Sequence, residues 1–352
     1  MFLALKEIRH EKLRYGLIIG MILLISYLVY VLSGLAYGLA QQNTQAVDSW
    51  QAQSIALDRD SNVSLSQSLI TTQTADKLTL NRSQAYLGQA GIVAKATGKT
   101  NLSAQFLGLN RRQFIYRDLK LTAGHKPQSD RQVVVDTAFQ QKGYRLGDRV
   151  TLNSAAGKYT IVGFTKNAKL NVAPVVYGTL TTWRTLRGVT PAMKASAIVS
   201  QKADQSVVSP LKTYSVATFV NNLPGYSAQN TTFTFMIGFL MIIAVVVIAV
   251  FLYILTMQKL PNYAVLRAQG IPARFLVSTT LGQAVVLVVS GLALGALLTL
   301  ATMRALPLGV PISFNLPLLA GVTGGILLTG VLGALIPVKL ILKVDPVTVI
   351  GG

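Results

Sequence analysis

The sequence has few groups that could carry out nucleophilic, acid–base or metal chemistry. It contains no cysteine, which excludes disulfides, thiol nucleophiles and thiolate metal sites. Histidine occurs only as His10 and His125, and glutamate only as Glu7 and Glu11. A hydrolase needs a nucleophile with a base within hydrogen-bond reach. We therefore expect no catalytic residues, no metal site and a protein that is not an enzyme.

Acidic residues are also missing from the long apolar runs. Four of these runs are about as long as a bilayer-spanning helix, roughly 20 residues. A proton- or sodium-coupled transporter normally needs a carboxylate inside the membrane, whereas Asp345 lies beyond the last run. Energy for any transport should therefore come from a separate protein, which favours an ATP-driven partner.

The chain is strongly basic, with a formal net charge of +20. Most of the excess lies in residues 41–230, which hold 22 Lys and Arg against 9 Asp. Because no nucleic-acid-binding motif accompanies them, we expect an anionic surface as partner and no nucleic acid. Gly98-Lys99-Thr100 could end a phosphate loop, but Val93 replaces the first glycine that the motif requires. The chain should therefore have no ATPase of its own.

The apolar runs divide the chain into spans and one large polar segment. Lys and Arg before the first run predict a cytoplasmic N-terminus in the plasma membrane. A cleaved signal peptide is the alternative, although the first run is long for one. We predict an amphipathic helix at 1–14, spans at 15–40, 231–257, 276–303 and 316–342, an extracellular domain with helical stalks at 41–230, a cytoplasmic loop at 258–275, an outer loop at 304–315 and a cytoplasmic tail at 343–352.

The polar segment has strand patterns that indicate a β-rich domain. Predicted strands cover 131–135, 149–152, 159–164, 175–177, 195–199 and 213–216, with a hairpin turn at 153–157 and short helices at 71–80, 136–143 and 180–187. The predicted fold class is an α-helical membrane protein with four transmembrane helices and an extracellular α+β, β-rich domain inserted between helices 1 and 2. Small-residue pairs predict close helix packing at Gly16/Gly20, Gly34/Gly38, Gly291/Gly295 and Gly321/Gly325.

The loop between the second and third runs has strong helix-boundary signals. Tyr263–Ala268 predicts a short helix that begins after Pro261 and ends at Gly270, and Pro272 opens the next helix. Lys259 and the arginines of this loop supply the positive charge that is typical of a cytoplasmic connection. A short helix on the inner membrane face could be pushed by a partner protein.

This loop resembles the coupling segment of FtsX-like, MacB-type ABC transporter permeases. The resemblance rests on Gln258-Lys259 followed by the run 265–270, and on the tail 343–352 with its Asp-Pro pair. The Gly-Asp-x-Val pattern at 147–150 resembles the small β-rich domain of the same permeases, and the octet 33–40 is similar to the first-span exit of Hrt-type hemin-efflux permeases. An ordinary polytopic membrane protein is the alternative interpretation of the loop alone.

The resemblance implies a permease that works as a homodimer with two copies of an ABC ATPase subunit, which uses the ATP. It implies extrusion of an amphipathic compound from the membrane lipid, with hemin as the leading candidate. Haem would then be cargo, and no cofactor would be bound covalently. The contact with the ATPase is expected at Tyr263, Leu266, Arg267, Ala268 and Gly270. Two alternatives stay open: a mechanical relay to a cell-wall hydrolase, and an antimicrobial-peptide resistance permease.

One face of the first span carries the candidate cargo contacts. Tyr27, Tyr30, Gly34 and Tyr37 recur at helical spacing. They could line a path for a flat, partly apolar substrate, or the tyrosines could be interfacial anchors. Tyrosine and methionine can both ligate haem iron, so Met236 near the outer end of the second span is a further candidate. If hemin is the cargo, we expect it between the first spans of two protomers.

Overall fold

The structure is a computed structural model that describes residues 12–153, 157–306 and 310–342. The chain divides into a helical unit, Met1–Gly38 with Asn230–Gly352, and an inserted domain, Leu39–Gln229. The predicted tail at 343–352, most of the predicted helix at 1–14 and the middle of the predicted turn at 153–157 lie outside the described residues.

The elements follow one another in an order that places all strands between the first long helix and the other three. In chain order they are α1 Lys12–Ser49, β1 Ser54–Asp58, β2 Ile70–Thr71, α2 Thr72–Ala75, β3 Gln84–Lys95, β4 Leu102–Leu109, α3 Phe114–Asp118, β5 Ala123–Gly124, β6 Gln132–Asp136, α4 Ala138–Gln141, β7 Arg149–Leu152, β8 Lys158–Thr165, β9 Lys169–Leu170, β10 Ala173–Thr179, α5 Leu180–Arg187, β11 Met193–Ala195, β12 Ala197–Ser200, β13 Leu211–Ser215, α6 Val216–Asn221, α7 Tyr226–Ala268, α8 Ala273–Ala305 and α9 Leu316–Leu342.

Four of these helices, α1, α7, α8 and α9, are long and apolar enough to cross a membrane. Because the strands lie between α1 and α7, the predicted fold class is confirmed. The helices share a buried apolar core that includes Val29, Leu287 and Ile326. The protein is therefore a membrane-spanning protein with one β-rich insertion.

Two glycines of α8 let it approach α1 closely. A Cβ atom on Gly291 would lie 2.5 Å from Ile22 Cγ2, and one on Gly295 would lie 2.2 Å from Ser26 Oγ. Ser26 Oγ also donates a hydrogen bond to the carbonyl oxygen of Gly291 at 3.2 Å. Larger residues at these positions would push the helices apart, so the packing predicted for this pair is confirmed.

The pair Gly16/Gly20 and one glycine of the pair Gly321/Gly325 behave differently. Nothing lies within 4 Å of a Cβ atom built on Gly16, Gly20 or Gly321. The spacing predicted close packing at all of these glycines. The structure shows it within the chain for Gly291/Gly295 but not at these three positions. The reason is that the spacing reports only a shallow helix surface and carries no information on which helix faces it.

The prediction of a separate short helix after Pro261 is wrong, because α7 runs without interruption from Tyr226 to Ala268 with Pro261 inside it. Proline removes one backbone hydrogen bond, and spanning helices tolerate this loss where neighbouring groups compensate. The connection to α8 is consequently only the four residues between Ala268 and Ala273.

The inserted domain is built on one mixed sheet. Its strand order is β13-β1-β12-β3-β4-β10-β6-β8-β5, with β7 paired to β3 and β8, and β9 paired to β10. The β4–β10 and β6–β8 pairs are parallel, and the other pairs in this sheet are antiparallel. Alternate residues of β3 enter different buried clusters, Tyr86 and Ala90 one and Ala85 and Leu87 the other. Both faces of the sheet centre are therefore buried.

Several local predictions for this domain need correction. The predicted helix at 71–80 is in fact the much shorter α2. The predicted helix at 136–143 is the shorter α4, because Asp136 still belongs to β6. The predicted strand at 195–199 is interrupted at Ser196, between β11 and β12. Long strands β3 and β4 were not predicted, since their glycines and glutamines hide the apolar alternation. Gly98-Lys99-Thr100 lies in the turn between them, which is not a strand–loop–helix phosphate site.

Asp136 is a buried acid whose side chain connects the end of β6 to the segment between β8 and β9 by a hydrogen bond. Its carboxylate accepts hydrogen bonds from the backbone N–H groups of Ala138 at 2.8 Å and Ala168 at 3.0 Å. Burial raises the pKa of this carboxyl, and the two hydrogen bonds and Lys169 oppose that rise. These contacts explain why the carboxylate is buried, and none of them joins it to a nucleophile or a general base.

Trp183 of α5 packs over the place in β3 and β4 where two glycines face each other across the pair. Gly88 is paired with Gly108, and a Cβ atom on Gly88 would lie 2.4 Å from Trp183 Cδ2. The indole N–H donates to the carbonyl oxygen of Gln89 at 2.9 Å. The glycines thus make room for a fully buried indole.

We predict that Gly88→Ala destabilises the inserted domain by about 1–3 kcal/mol, the usual result of overpacking a core. Gly91→Ala is the matched control, because it lies on the same strand and nothing lies within 4 Å of the position that its methyl group would take. Both tryptophans of the chain, Trp50 and Trp183, belong to this domain. Thermal unfolding followed by tryptophan fluorescence measures the difference, and equal midpoints would contradict the packing argument.

Candidate functional site

The end of α7 is closed by a glycine cap that fixes the direction of the chain. Gly270 has a φ angle of +88°. Its N–H donates to the carbonyl oxygen of Arg267 at 3.0 Å, and the N–H of Ile271 donates to that of Leu266 at 3.1 Å. This pair of bonds is the Schellman motif. Leu266 and Ile271 also pack against the same small cluster, as that motif favours.

The predicted coupling residues divide into packed and exposed ones. Tyr263 is buried with Leu276 and Ile341, and its hydroxyl lies 3.4 Å from Thr280 Oγ1. Leu266 packs against the same cluster, whereas Ala268 and Gly270 are exposed. Sequence reasoning did not single out Val265, which is 47% exposed. The outward surface of this turn is therefore formed by Val265, Ala268 and the cap, with Arg267 half-buried.

The tyrosine face of α1 is directed into the helical unit. Tyr27 Oη lies 3.1 Å from Thr302 Oγ1 of α8, and Tyr30 Oη lies 2.8 Å from Thr323 Oγ1 of α9. Tyr37 Oη accepts a hydrogen bond from Asn315 Nδ2 at 2.9 Å. Each hydroxyl thus has a partner on another segment of the same unit.

A non-helical segment, Val310–Asn315, lies against α1, and we call it the strap. The N–H of Ser313 donates to the carbonyl oxygen of Gly34 at 3.1 Å. A Cβ atom on Gly34 would lie 2.4 Å from the Phe314 ring, and one on Gly38 would lie 1.9 Å from the carbonyl oxygen of Pro311. In this chain, the Gly34/Gly38 pair therefore receives the strap, where we had expected a second helix or a planar ligand.

Asn315 joins the strap to the following helix. Its Oδ1 atom accepts a hydrogen bond from the N–H of Leu318 at 2.9 Å, which caps the first turn of α9. Its Nδ2 atom donates to Tyr37 on α1. One side chain therefore both starts α9 and attaches it to α1.

A cavity of about 540 Å³ lies beneath the strap, between α1, α8 and α9. Its size is within the range of roughly 300–1,000 Å³ that is common for small-molecule sites. Among the described residues, those that line it carry no charge. They are Tyr30, Ala296, Thr299, Leu300, Met303, Ile312, Ser313, Phe314, Leu319 and Thr323. Of the predicted cargo residues, only Tyr30 lines this cavity.

Met236 lies elsewhere, on an exposed apolar face of α7. It is 43% exposed, and its neighbours on that helix Phe235 and Phe239 are more than half exposed. The structure therefore does not bring Met236 together with Tyr30. Met303 is the methionine that lines the same cavity as Tyr30. Its position could not be found from sequence because α8 is apolar on every side.

The described part of the chain holds no group of three or more His, Asp or Glu side chains that could bind a metal ion. The spans bring together hydroxyl groups, amides and apolar side chains. These groups can bind and orient a molecule, and the cavity lining that the structure describes includes no Asp, Glu, His, Lys or Arg.

The comparison with protein families defines the class of the helical unit. Residues 234–346 match the family of the FtsX-like permease C-terminal domain. The match covers α7 from residue 234 onward, the capped connection, α8, the strap and all of α9. The resemblance to FtsX-like permeases is thereby confirmed.

Full-length relatives narrow the comparison to one kind of permease. The chain is 25% identical over 355 residues to the hemin transport system permease protein HrtB of Staphylococcus epidermidis, with 100% of this chain and 99% of that protein covered. It is also 25% identical over 357 residues to HrtB of Staphylococcus haemolyticus, with the same coverage. The similarity thus extends over the helical unit and the inserted domain.

Two solved structures are similar to part of the chain. The periplasmic region of MacB from Actinobacillus actinomycetemcomitans has a TM-score of 0.36 at 14% identity, covering 47% of this chain and 90% of that one. The extracellular domain of the ABC-type transporter YknZ from Gram-positive bacteria has a TM-score of 0.32 at 14% identity, covering 44% and 85%.

We predict that Gly38→Ala displaces the strap, because the new methyl group would overlap the carbonyl oxygen of Pro311. In a chain with Ser313→Cys as the single cysteine, a water-soluble maleimide should label the strap faster after this change. Gly20→Ala is the matched control, since it adds the same methyl group to the same helix with nothing within 4 Å. Equal labelling rates in the two variants would show that the strap does not depend on Gly38.

Proposed function

We propose that the chain is the permease subunit of an ATP-driven ABC exporter and that its cargo is hemin. The observation that carries the proposal is the similarity to HrtB over the full length of both chains. The match to the FtsX-like permease C-terminal domain supports the transport class. The absence of acids from the sequence of the spans supports an external source of energy.

The capped end of α7 is the surface that we assign to the ATPase. Val265 and Ala268 are exposed beside Gly270, on a turn whose backbone is fixed by two hydrogen bonds. A rigid apolar turn of this kind can transmit force from the ATPase to both α7 and α8. In this proposal the turn, the N-terminus and the C-terminus face the cytoplasm, and the inserted domain is extracellular.

The permease is expected to act as a homodimer with two ATPase copies. The exposed apolar side chains of α7, among them Phe235, Phe239 and Ile242, form the surface of the helical unit that a second copy or lipid would cover. Hemin would move along such a surface as an amphipathic molecule. The basic inserted domain, with its excess of Lys and Arg, would attract the propionates.

The paired hydroxyls indicate a structural function for the tyrosines of α1. Tyr30 is 3% exposed and bonded to Thr323, so iron ligation by its phenolate would require that bond to break. We predict that a Tyr27→Phe/Tyr30→Phe protein binds hemin with an unchanged Soret band, measured by absorbance titration against the wild type. A shifted band would instead identify one of these phenolates as an iron ligand.

We predict that deletion of the gene increases the sensitivity of the cell to hemin and leaves its sensitivity to antimicrobial peptides unchanged. A plasmid copy of the gene should restore growth. The measurement is growth across a hemin series and a peptide series. Increased sensitivity to the peptides alone would favour a peptide-resistance permease, and a defect in cell-wall cleavage alone would favour the relay to a wall hydrolase.

We predict that Val265→Asp weakens association with the ATPase while the permease remains folded, since an unpaired charge in an apolar contact is costly. Leu266→Asp should weaken association and also lower the thermal midpoint, because Leu266 packs inside the chain. Val310→Asp is the control at an exposed valine of the strap. Co-purification of the two subunits and thermal unfolding separate these effects, and intact association in Val265→Asp would exclude this turn as the docking surface.

A further inference from the structure

We infer that the cavity beneath the strap is a binding site for the acyl chain of a membrane phospholipid, separate from the cargo path. This inference goes beyond the proposed function. The inference starts from the chemistry of the lining, whose described residues are apolar or polar without charge. A molecule with carboxylates, such as hemin, would find no cation among these side chains.

The hydroxyl groups of Tyr30, Thr299 and Thr323 are already hydrogen-bonded within the protein. Tyr30 and Thr323 bond to each other at 2.8 Å. Thr299 Oγ1 donates to the carbonyl oxygen of Gly295 at 2.8 Å. The backbone N–H of Ser313 donates a hydrogen bond to the carbonyl oxygen of Gly34. Because hydrogen-bonding groups that are satisfied do not require a polar ligand, the interior selects for hydrocarbon.

The position of the cavity makes lipid the natural source of that hydrocarbon. All of its walls except the strap belong to helices that are long and apolar enough to span a membrane. Leu300 is 55% exposed and Leu319 is 37% exposed, so the lining continues into side chains that face outward. An acyl chain from the surrounding bilayer can therefore enter between α8 and α9.

The strap provides the closed end of the site. Ile312, Ser313 and Phe314 contribute to the lining, and Phe314 is held against Gly34 of α1. Protein interiors are packed densely and retain few large voids. An acyl chain would fill this gap and support the contact between the strap and α1.

A photolabelling experiment tests the assignment directly. The full chain is reconstituted in phosphatidylglycerol vesicles that contain a trace of phosphatidylglycerol with a photoactivatable acyl chain, without hemin or ATPase. After irradiation, digestion and mass spectrometry, we expect label on α1 near Tyr30, on α8 between Ala296 and Met303, and on α9 between Leu319 and Thr323.

A space-filling variant provides the decisive comparison. Ala296→Phe places a ring in the cavity and should reduce this labelling severalfold. Ala301→Phe is the matched control, because Ala301 is exposed on the same helix and does not line the cavity. Met303→Trp is a second space-filling variant for use if Ala296→Phe does not fold, as judged by its thermal midpoint.

Two results would overturn the inference. Labelling that is equally strong in the filled and control variants would mean that lipid covers the outer helix surface only. Displacement of the label by hemin would mean that the cavity is a cargo site. Neither result depends on export, so the lipid site and the proposed transport function can fail independently.

Discussion

The close approach of α1 and α8 is the contact on which the helical unit depends. Gly291 and Gly295 present bare backbone to Ile22 and Ser26, and a single added methyl group on either glycine would overlap α1. In hydrocarbon, apolar surfaces gain little by leaving lipid for one another, so helix association depends on dense packing and on hydrogen bonds between helices. The bond from Ser26 to the carbonyl oxygen of Gly291 adds such a link.

This approach brings two further segments, α9 and the strap, within reach of α1. The tyrosine hydroxyls meet Thr302 on α8, Thr323 on α9 and Asn315 at the end of the strap. The strap in turn occupies the shallow surface at Gly34 and Gly38. The cavity is the space that these contacts enclose but do not fill. The candidate cargo face, the strap and the lipid site are therefore consequences of one packing arrangement.

The opposite end of the unit is organised by backbone geometry. The glycine cap at Gly270 turns the chain within four residues and leaves Val265 and Ala268 exposed, while Tyr263 and Leu266 are held by the helices behind them. A force applied to such a turn would reach two spanning helices at once, as the proposed coupling to an ATPase requires. In the proposed function, transport would proceed by movement of these packed helices, because the sequence of the spans contains no carboxylate that could couple it to protons or sodium ions.

The sequence by itself determined the four spans, the capped end of α7 and the short strands around the Gly-Asp turn, because hydropathy, a glycine cap and strand alternation are local signals. It failed for β3 and β4, because burial on both faces together with their glycines and glutamines hides that alternation. Only the tertiary structure decided that Tyr27 and Tyr30 face inward, since their partners lie 275 and 293 residues away. Helices that are apolar on all sides carry no periodicity that reveals which face packs.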